Sequence, residues 1–252
     1  VKFHKDSGAT LVSDIIQTLW IGDDLSPMER LCLSSFVYHG HDVHLYVYSD
    51  VKGIPDGVVV KDGNEILPED MIFLYKDHKS FSGFSNYFRY KLVLEKGGYW
   101  IDADMVCLKK FDFDTPFVFS SEEVLPLRQN NTHINAGIIK APKRSPAIQH
   151  AFDVCMSKDR ENLVWGEIGP RLVKSTVEKF NLQQFVKSYK TFCPIAGCEW
   201  FLLINPEYKF DFEDEGIYGI HLWNEMWRRS NVDKSLNFHP DSLYEKLKRK
   251  YL

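Results

Sequence analysis

Short apolar runs alternate with longer stretches of helical periodicity along most of the chain. Ile15-Ile16-Gln17-Thr18-Leu19-Trp20 predicts a buried strand, closed by Gly22-Asp23-Asp24. A helix start follows, with Ser26 placed as cap, Pro27 at the first helical position and Glu29 completing a capping box. That helix runs through Leu31, Phe36 and Val37 to Gly40, and Val43–Tyr48 predicts the next strand. Strand, helix, strand is the unit from which parallel sheets are built. Residues 51–83 carry Gly53, Pro55, Gly57, Gly63, Pro68 and Gly83, and are expected to be irregular. Phe84–Lys96 contains no Gly or Pro and stops at Gly97-Gly98, the strongest helix signal in the chain. Tyr99-Trp100-Ile101 is then a short strand that runs into Asp102-Ala103-Asp104. Further strands are expected at Phe117–Ser120, Ile134–Ala141 and Ile217–Leu222, and helices at Ser145–Ser157, Gly169–Phe180 and Ser242–Tyr251. No repeat, low-complexity tract or linker interrupts the pattern.

Composition narrows the class. Hydrophobic residues make up 44% and charged residues 26%, which excludes a disordered chain. Lys+Arg 31 against Asp+Glu 35 gives a net charge of −4, so no basic footprint points to nucleic acid. No apolar run approaches the ~20 residues that span a membrane, and no N-terminal stretch has the makeup of a secretory signal. Cys32, Cys107, Cys155, Cys193 and Cys198 are odd in number and lack metal or redox spacing. Reduced thiols and a cytoplasmic location are expected. The cationic Arg228, Arg229, Lys248, Arg249 and Lys250 are expected to be solvated surface, with peripheral membrane contact as a lesser role.

The candidate chemistry centres on Asp102 and Asp104. At strand spacing their carboxylates point to the same side, and two like charges so placed require a cation. Hard oxygen ligands favour Mg²⁺ or Mn²⁺. The triplet alone is a weak signal, and a solvated acidic turn accounts for it equally well. Its place at the C-terminal end of a strand in an α/β chain strengthens it, because ligands collect there. In the preceding apolar helix, Asn86 and Arg89 stand at i and i+3 on one face. Arg89 either pairs with a nearby carboxylate or reaches phosphate or sugar oxygens. Lys91 and Glu95, at i and i+4, are expected to form a solvated pair, and Glu167 to cap a helix.

Phe84-Ser85-Asn86-Tyr87-Phe88-Arg89-Tyr90 followed by Gly97-Gly98-Tyr99-Trp100-Ile101-Asp102-Ala103-Asp104 resembles the glycosyltransferases with a DXD signature. That group includes α-mannosyl- and α-galactosyltransferases, bacterial polysaccharide transferases and the glucosylating clostridial toxins. Ile16–Gly22, Asn135-Ala136-Gly137, Gly166–Pro170 and His221-Leu222-Trp223-Asn224 resemble further segments of the same group in order. Two positions depart from it: Asn86 stands where the group has Asp, and Gln17 where it has His. The resemblance implies a GT-A-type α/β domain with a twisted, mostly parallel sheet flanked by helices. It would occupy residues 1–252, with a nucleotide-sugar half over about 10–125 and an acceptor-side half over about 126–252. It implies a metal-dependent, retaining hexosyltransferase that moves sugar from a nucleotide diphosphate sugar, a UDP-sugar, to a glycan, lipid-linked or protein hydroxyl. Asp104, His221, Asp102 and Asn224 would hold Mn²⁺ or Mg²⁺. Trp20, Asn86, Arg89, Asp102, Asn135, Gly137 and Trp223 would bind the donor, with Asp102, Asp104 and Arg89 catalytic. No carboxylate stands out in the sequence as a nucleophile. Two alternatives stay open: a sugar-nucleotide-binding module without activity, and a phosphohydrolase using the Asp-x-Asp pair.

Overall fold

The computed structural model describes residues 14–76, 79–124 and 132–252. Their elements, in chain order, begin with β1 (Ile16–Leu19), α1 (Pro27–Tyr38), β2 (Val43–Val47), β3 (Val58–Asp62), α2 (Ser82–Lys96) and β4 (Gly98–Ile101). β5 (Met105–Cys107), β6 (Val118–Glu123), β7 (Thr132–Ala141), α3 (Pro146–Met156) and α4 (Pro170–Lys179) follow. The chain closes with α5 (Tyr189–Phe192), a 3₁₀ helix over Gly197–Ile204, β8 (Gly219–His221), α6 (Asn224–Arg229) and α7 (Leu243–Tyr251).

Six strands form one sheet in the order β3-β2-β1-β4-β7-β6. The first four run parallel, and β7 and β6 are antiparallel to their neighbours. This is the expected α/β architecture, a mostly parallel sheet flanked by helices. Side-chain alternation along each strand feeds two faces. Tyr46, Trp100 and Ile139 pack on one face with Phe84, Phe88 and Leu92 of α2. Leu45, Tyr99, Ile101 and Ile138 pack on the other with Leu33 and Phe36 of α1. The opposite side of α1 contributes Met28, Leu31 and Cys32 to a third cluster with Trp227, Leu243 and Leu247.

Local chemistry sets the helix ends. Ser26 accepts from the Met28 N–H and Glu29 accepts from the Ser26 N–H, so the capping box forms as the sequence predicts. α2 begins two residues earlier than its apolar pattern, where Ser80 Oγ accepts from the Ser82 N–H. It ends at Gly97, whose φ of 71° suits glycine and whose added Cβ would lie 2.8 Å from the Lys143 nitrogen.

Three features depart from expectation. β3 lies inside the stretch expected to be irregular. It is an edge strand with Val59 and Val60 exposed, so it lacks the alternation that marks a half-buried strand. β5 follows the acidic triplet at once and is too short to show a period. Glu167 does not cap α4: its carboxylate accepts from Lys158 and from the Val164 N–H, while the cap position belongs to Gly169. Lys91 and Glu95 do form the expected pair, at 2.7 Å.

Candidate functional site

The chain runs β1, β2, β3 outward in one direction and then places β4 on the other side of β1. The strand order therefore reverses between β1 and β4, and a crevice opens beyond their C-terminal ends. A cavity of about 540 Å³ lies there, between Trp20 after β1, Asp102 and Asp104 after β4, Arg89 on α2, His221 at the end of β8 and Trp223 beyond it.

The acidic pair is held by its backbone. The Asp102 N–H donates to the Gly137 carbonyl at 2.8 Å, and the Met105 N–H donates to the Asp102 carbonyl at 3.1 Å, closing a tight turn. β5 then pairs antiparallel with β8, Met105 opposite His221, and this register brings the imidazole to Asp104. His221 Nε2 lies 3.2 Å from one Asp104 oxygen, and the other accepts from the Asn224 N–H at 2.8 Å. Burial opposes the charge on Asp104, but His221 and the Asn224 N–H outweigh it and bring its pKa down to about 2. Burial likewise opposes the charged imidazole, yet Asp104 raises His221 well above its usual range. Asp102 moves the other way: burial raises it, partly offset by Arg89 and reinforced by the charge on Asp104.

Asp102, Asp104 and His221 each offer a ligand atom, and these atoms lie within 4.8 Å of one another. Two half-buried carboxylates and one imidazole suit a small divalent cation. Asn224 contributes differently from expectation. Its backbone reaches Asp104, while its side-chain oxygen accepts from Lys234 at 2.8 Å.

Arg89 is 4% exposed and already committed to protein partners. It pairs with Asp102 at 3.1 Å, donates to the Ala136 and Ser85 carbonyls, and lies over the Trp100 ring. Trp100 Nε1 also donates to Asp102, at 2.9 Å. The arginine thus orients the first acid, which was one of its two expected readings. Asn86 turns elsewhere. Its amide packs against Gly169, where an added Cβ would meet Asn86 Oδ1 at 3.3 Å, and it is not among the residues lining the cavity. Asn135 is buried behind the site. It accepts from Ser120 and the Gly137 N–H and donates to Cys193 Sγ. Gly137 backs the acids: a Cβ added there would meet Asp102 Oδ2 at 3.6 Å and His221 Cε1 at 3.8 Å.

β7 bulges at this point. Phe119 faces Ile139 and Ser121 faces Ile134, so Ser120 alone spans Asn135 to Ile138. The bulge turns the Ala136 carbonyl to Arg89 and the Gly137 carbonyl to Asp102, re-aiming backbone as bulges do.

Two indoles form walls. Trp20 is half-buried and its Nε1–H is enclosed with no partner. Trp223 takes the left-handed conformation, with φ 58° and ψ 47°, and lies 4.0 Å from His221, ring centre to ring centre. Its Nε1 donates to the Ile195 carbonyl. Trp227, by contrast, is buried core against Trp200 and Tyr244. The cavity also includes residues that sequence reasoning did not single out for the site: Glu122, Trp165, and Arg228 and Arg229, which grip Glu225.

No protein-family model and no curated protein matches the chain. Among solved structures it is similar to the PaToxG glycosyltransferase, at 12% identity over 95% of this chain and 86% of that one, with a TM-score of 0.49. It is also similar to the galactosyltransferase LgtC in complex with donor and acceptor sugar analogues, at 13% identity, 68% and 72% coverage and a TM-score of 0.36. A third is the catalytic domain of the alpha-toxin from Clostridium novyi, at 8% identity, 97% and 77% coverage and a TM-score of 0.39.

All five cysteines are free, Cys198 exposed and the other four buried. Among the described residues no helix is long and apolar enough to cross a membrane.

Proposed function

We propose that this chain is a metal-dependent glycosyltransferase, one domain over residues 1–252. In this reading it moves a hexosyl group from a UDP-sugar to a hydroxyl acceptor such as a glycan, with retention of anomeric configuration. The observation that carries this reading is the Asp102–Asp104–His221 set at the strand-order reversal between β1 and β4. Asp104 and His221 would hold Mn²⁺ or Mg²⁺, with Asp102 bound to the metal or to the donor's ribose. When bound, the metal supplies Lewis-acid stabilisation to the departing diphosphate.

The protein's own residues supply orientation. Arg89 and Trp100 fix one oxygen of Asp102, which leaves its second oxygen for a ligand. The Asn224 N–H fixes Asp104 in the same way. Trp20 offers a ring face to a nucleobase, and the left-handed turn at Trp223 holds an indole over the imidazole. Such preorganisation is what a transition state with developing charge requires.

The test is donor binding and turnover across a panel of nucleotide sugars, with Mn²⁺ and with chelator, for the native protein and Asp104→Ala. Metal-dependent binding of one donor, lost in the variant, is the expected result, and the product from an α-linked donor should be α-linked by NMR. Binding without turnover on any acceptor, water included, would instead identify a binding module. Release of phosphate from simple phosphate esters would identify a phosphohydrolase.

A further inference from the structure

The acidic side chains around the cavity are nearly all neutralised. Asp102 pairs with Arg89 and Asp104 with His221. Glu29 pairs with Lys234, and Glu225 with Arg228 and Arg229. Glu122 is the exception. It lines the same cavity, and among the described residues its carboxylate has neither an ion pair nor a hydrogen bond. Burial raises its carboxyl above the usual range, with only His221 pulling the other way. A desolvated carboxylate without a partner is costly, and cavities that keep one generally use it.

Its position narrows the use. Glu122 sits on β6, beyond the bulge and opposite His133 of β7. In the sheet order, β6 is two strands from β4, which carries Asp102 at its end. Two strand spacings are about 10 Å, which leaves room for a sugar and an acceptor hydroxyl beside the acids. Transfer to a hydroxyl also releases a proton that some group must take. Among the described residues, Glu122 is the one cavity carboxylate not already paired.

We propose that Glu122 is the general base of the transfer, facing the acceptor's side of the cavity. The acceptor oxygen forms its bond to the anomeric carbon on the same face from which the bond to the diphosphate oxygen breaks, so configuration is retained. The electron pair leaves with the diphosphate, and the hydroxyl proton passes to the Glu122 carboxylate. This inference rests on the transferase reading above and adds a proton acceptor to it.

The test uses the full chain with Mn²⁺ and UDP-glucose, UDP-galactose or UDP-N-acetylglucosamine, with water as the acceptor hydroxyl. Donor affinity is measured by calorimetry and UDP release by a coupled assay. Glu122→Gln should bind donor with unchanged affinity, melt no lower than the native protein, and release UDP about 100- to 10,000-fold more slowly. Glu122→Asp should keep part of the rate, and formate should restore part of it to Glu122→Ala. UDP release at the native rate by Glu122→Gln overturns the proposal, because the proton then goes to the diphosphate. A hexosyl ester found on Glu122 by mass spectrometry overturns it in favour of a nucleophile. Loss of donor affinity in Glu122→Gln, or donor binding by the native protein with no UDP release, overturns it as well. If the native protein binds no donor, the transferase reading itself fails and the base falls with it; Asp104→Ala then behaves like the native protein.

Discussion

At the residue scale, the Asp104–His221 pair sets a pH window for the metal-free protein. Asp104 has a folded pKa lowered to about 2, so its contribution is present above the unfolded value near 3.9 and is lost as pH falls through the folded one. His221 is raised, so its contribution is present below the unfolded value near 6.5 and is lost as pH rises through the folded one. The two act as one coupled pair and are counted once, on the order of 2 kcal/mol. Unfolding of the metal-free protein by denaturant should therefore show a broad maximum between about pH 4 and 6.5 from this pair. Asp104→Asn should flatten the acid side of that maximum. An unchanged acid limb in the variant would mean that the pair is not formed in solution.

At the element scale, the β7 bulge connects the sheet to the site. Ser120 Oγ accepts from the Ile138 N–H at 2.9 Å and donates to Asn135, bridging the stretch that ladder bonds leave open. Ser120→Ala removes that bridge and leaves the buried Ile138 N–H without its hydroxyl. The expected cost is about 1–3 kcal/mol in urea unfolding, with weaker Mn²⁺ binding because the Ala136 and Gly137 carbonyls position Arg89 and Asp102. A stability loss with metal binding intact would uncouple the bulge from the site. The α1 capping box reaches the cavity through Glu29, which lines it. Ser26→Ala should cost about 1 kcal/mol in urea unfolding.

At the scale of the whole molecule, the C-terminal elements hold the site closed from behind. Trp227 is 1% exposed and packs on Trp200, Phe238 and Tyr244, and its Nε1 donates to the Leu222 carbonyl, one residue past His221. Trp227→Ala should destabilise the fold by about 3–5 kcal/mol and weaken Mn²⁺ binding in the fraction that remains folded. Retained metal affinity would show that β5 alone holds β8. The five cysteines are free in the structure, which gives the sequence-based expectation of a cytoplasmic location a direct test. A thiol count on protein from its native source should find five.

The alternation of strands and helices, the caps at Ser26 and Gly97, and the place of Asp102 and Asp104 after an apolar strand were legible in the chain itself. Each depends on residues within a few positions of one another, where periodicity and capping chemistry act. Arg89 was legible too, since a guanidinium on a buried helix needs an anion nearby. The site as a set came only from the resemblance, not from any local pattern. His221 meets Asp104 only because β8 pairs with β5, and a three-residue strand shows no period. Asn86 shares a helix with Arg89, yet packing against Gly169 turns it away from the cavity. Glu122 enters the site through a strand beyond a bulge that no local pattern announces. Local sequence thus determined which elements form and which acids follow β4. Pairing between distant segments, decided by burial of the sheet's two faces and by backbone hydrogen bonding, determined which side chains share the cavity.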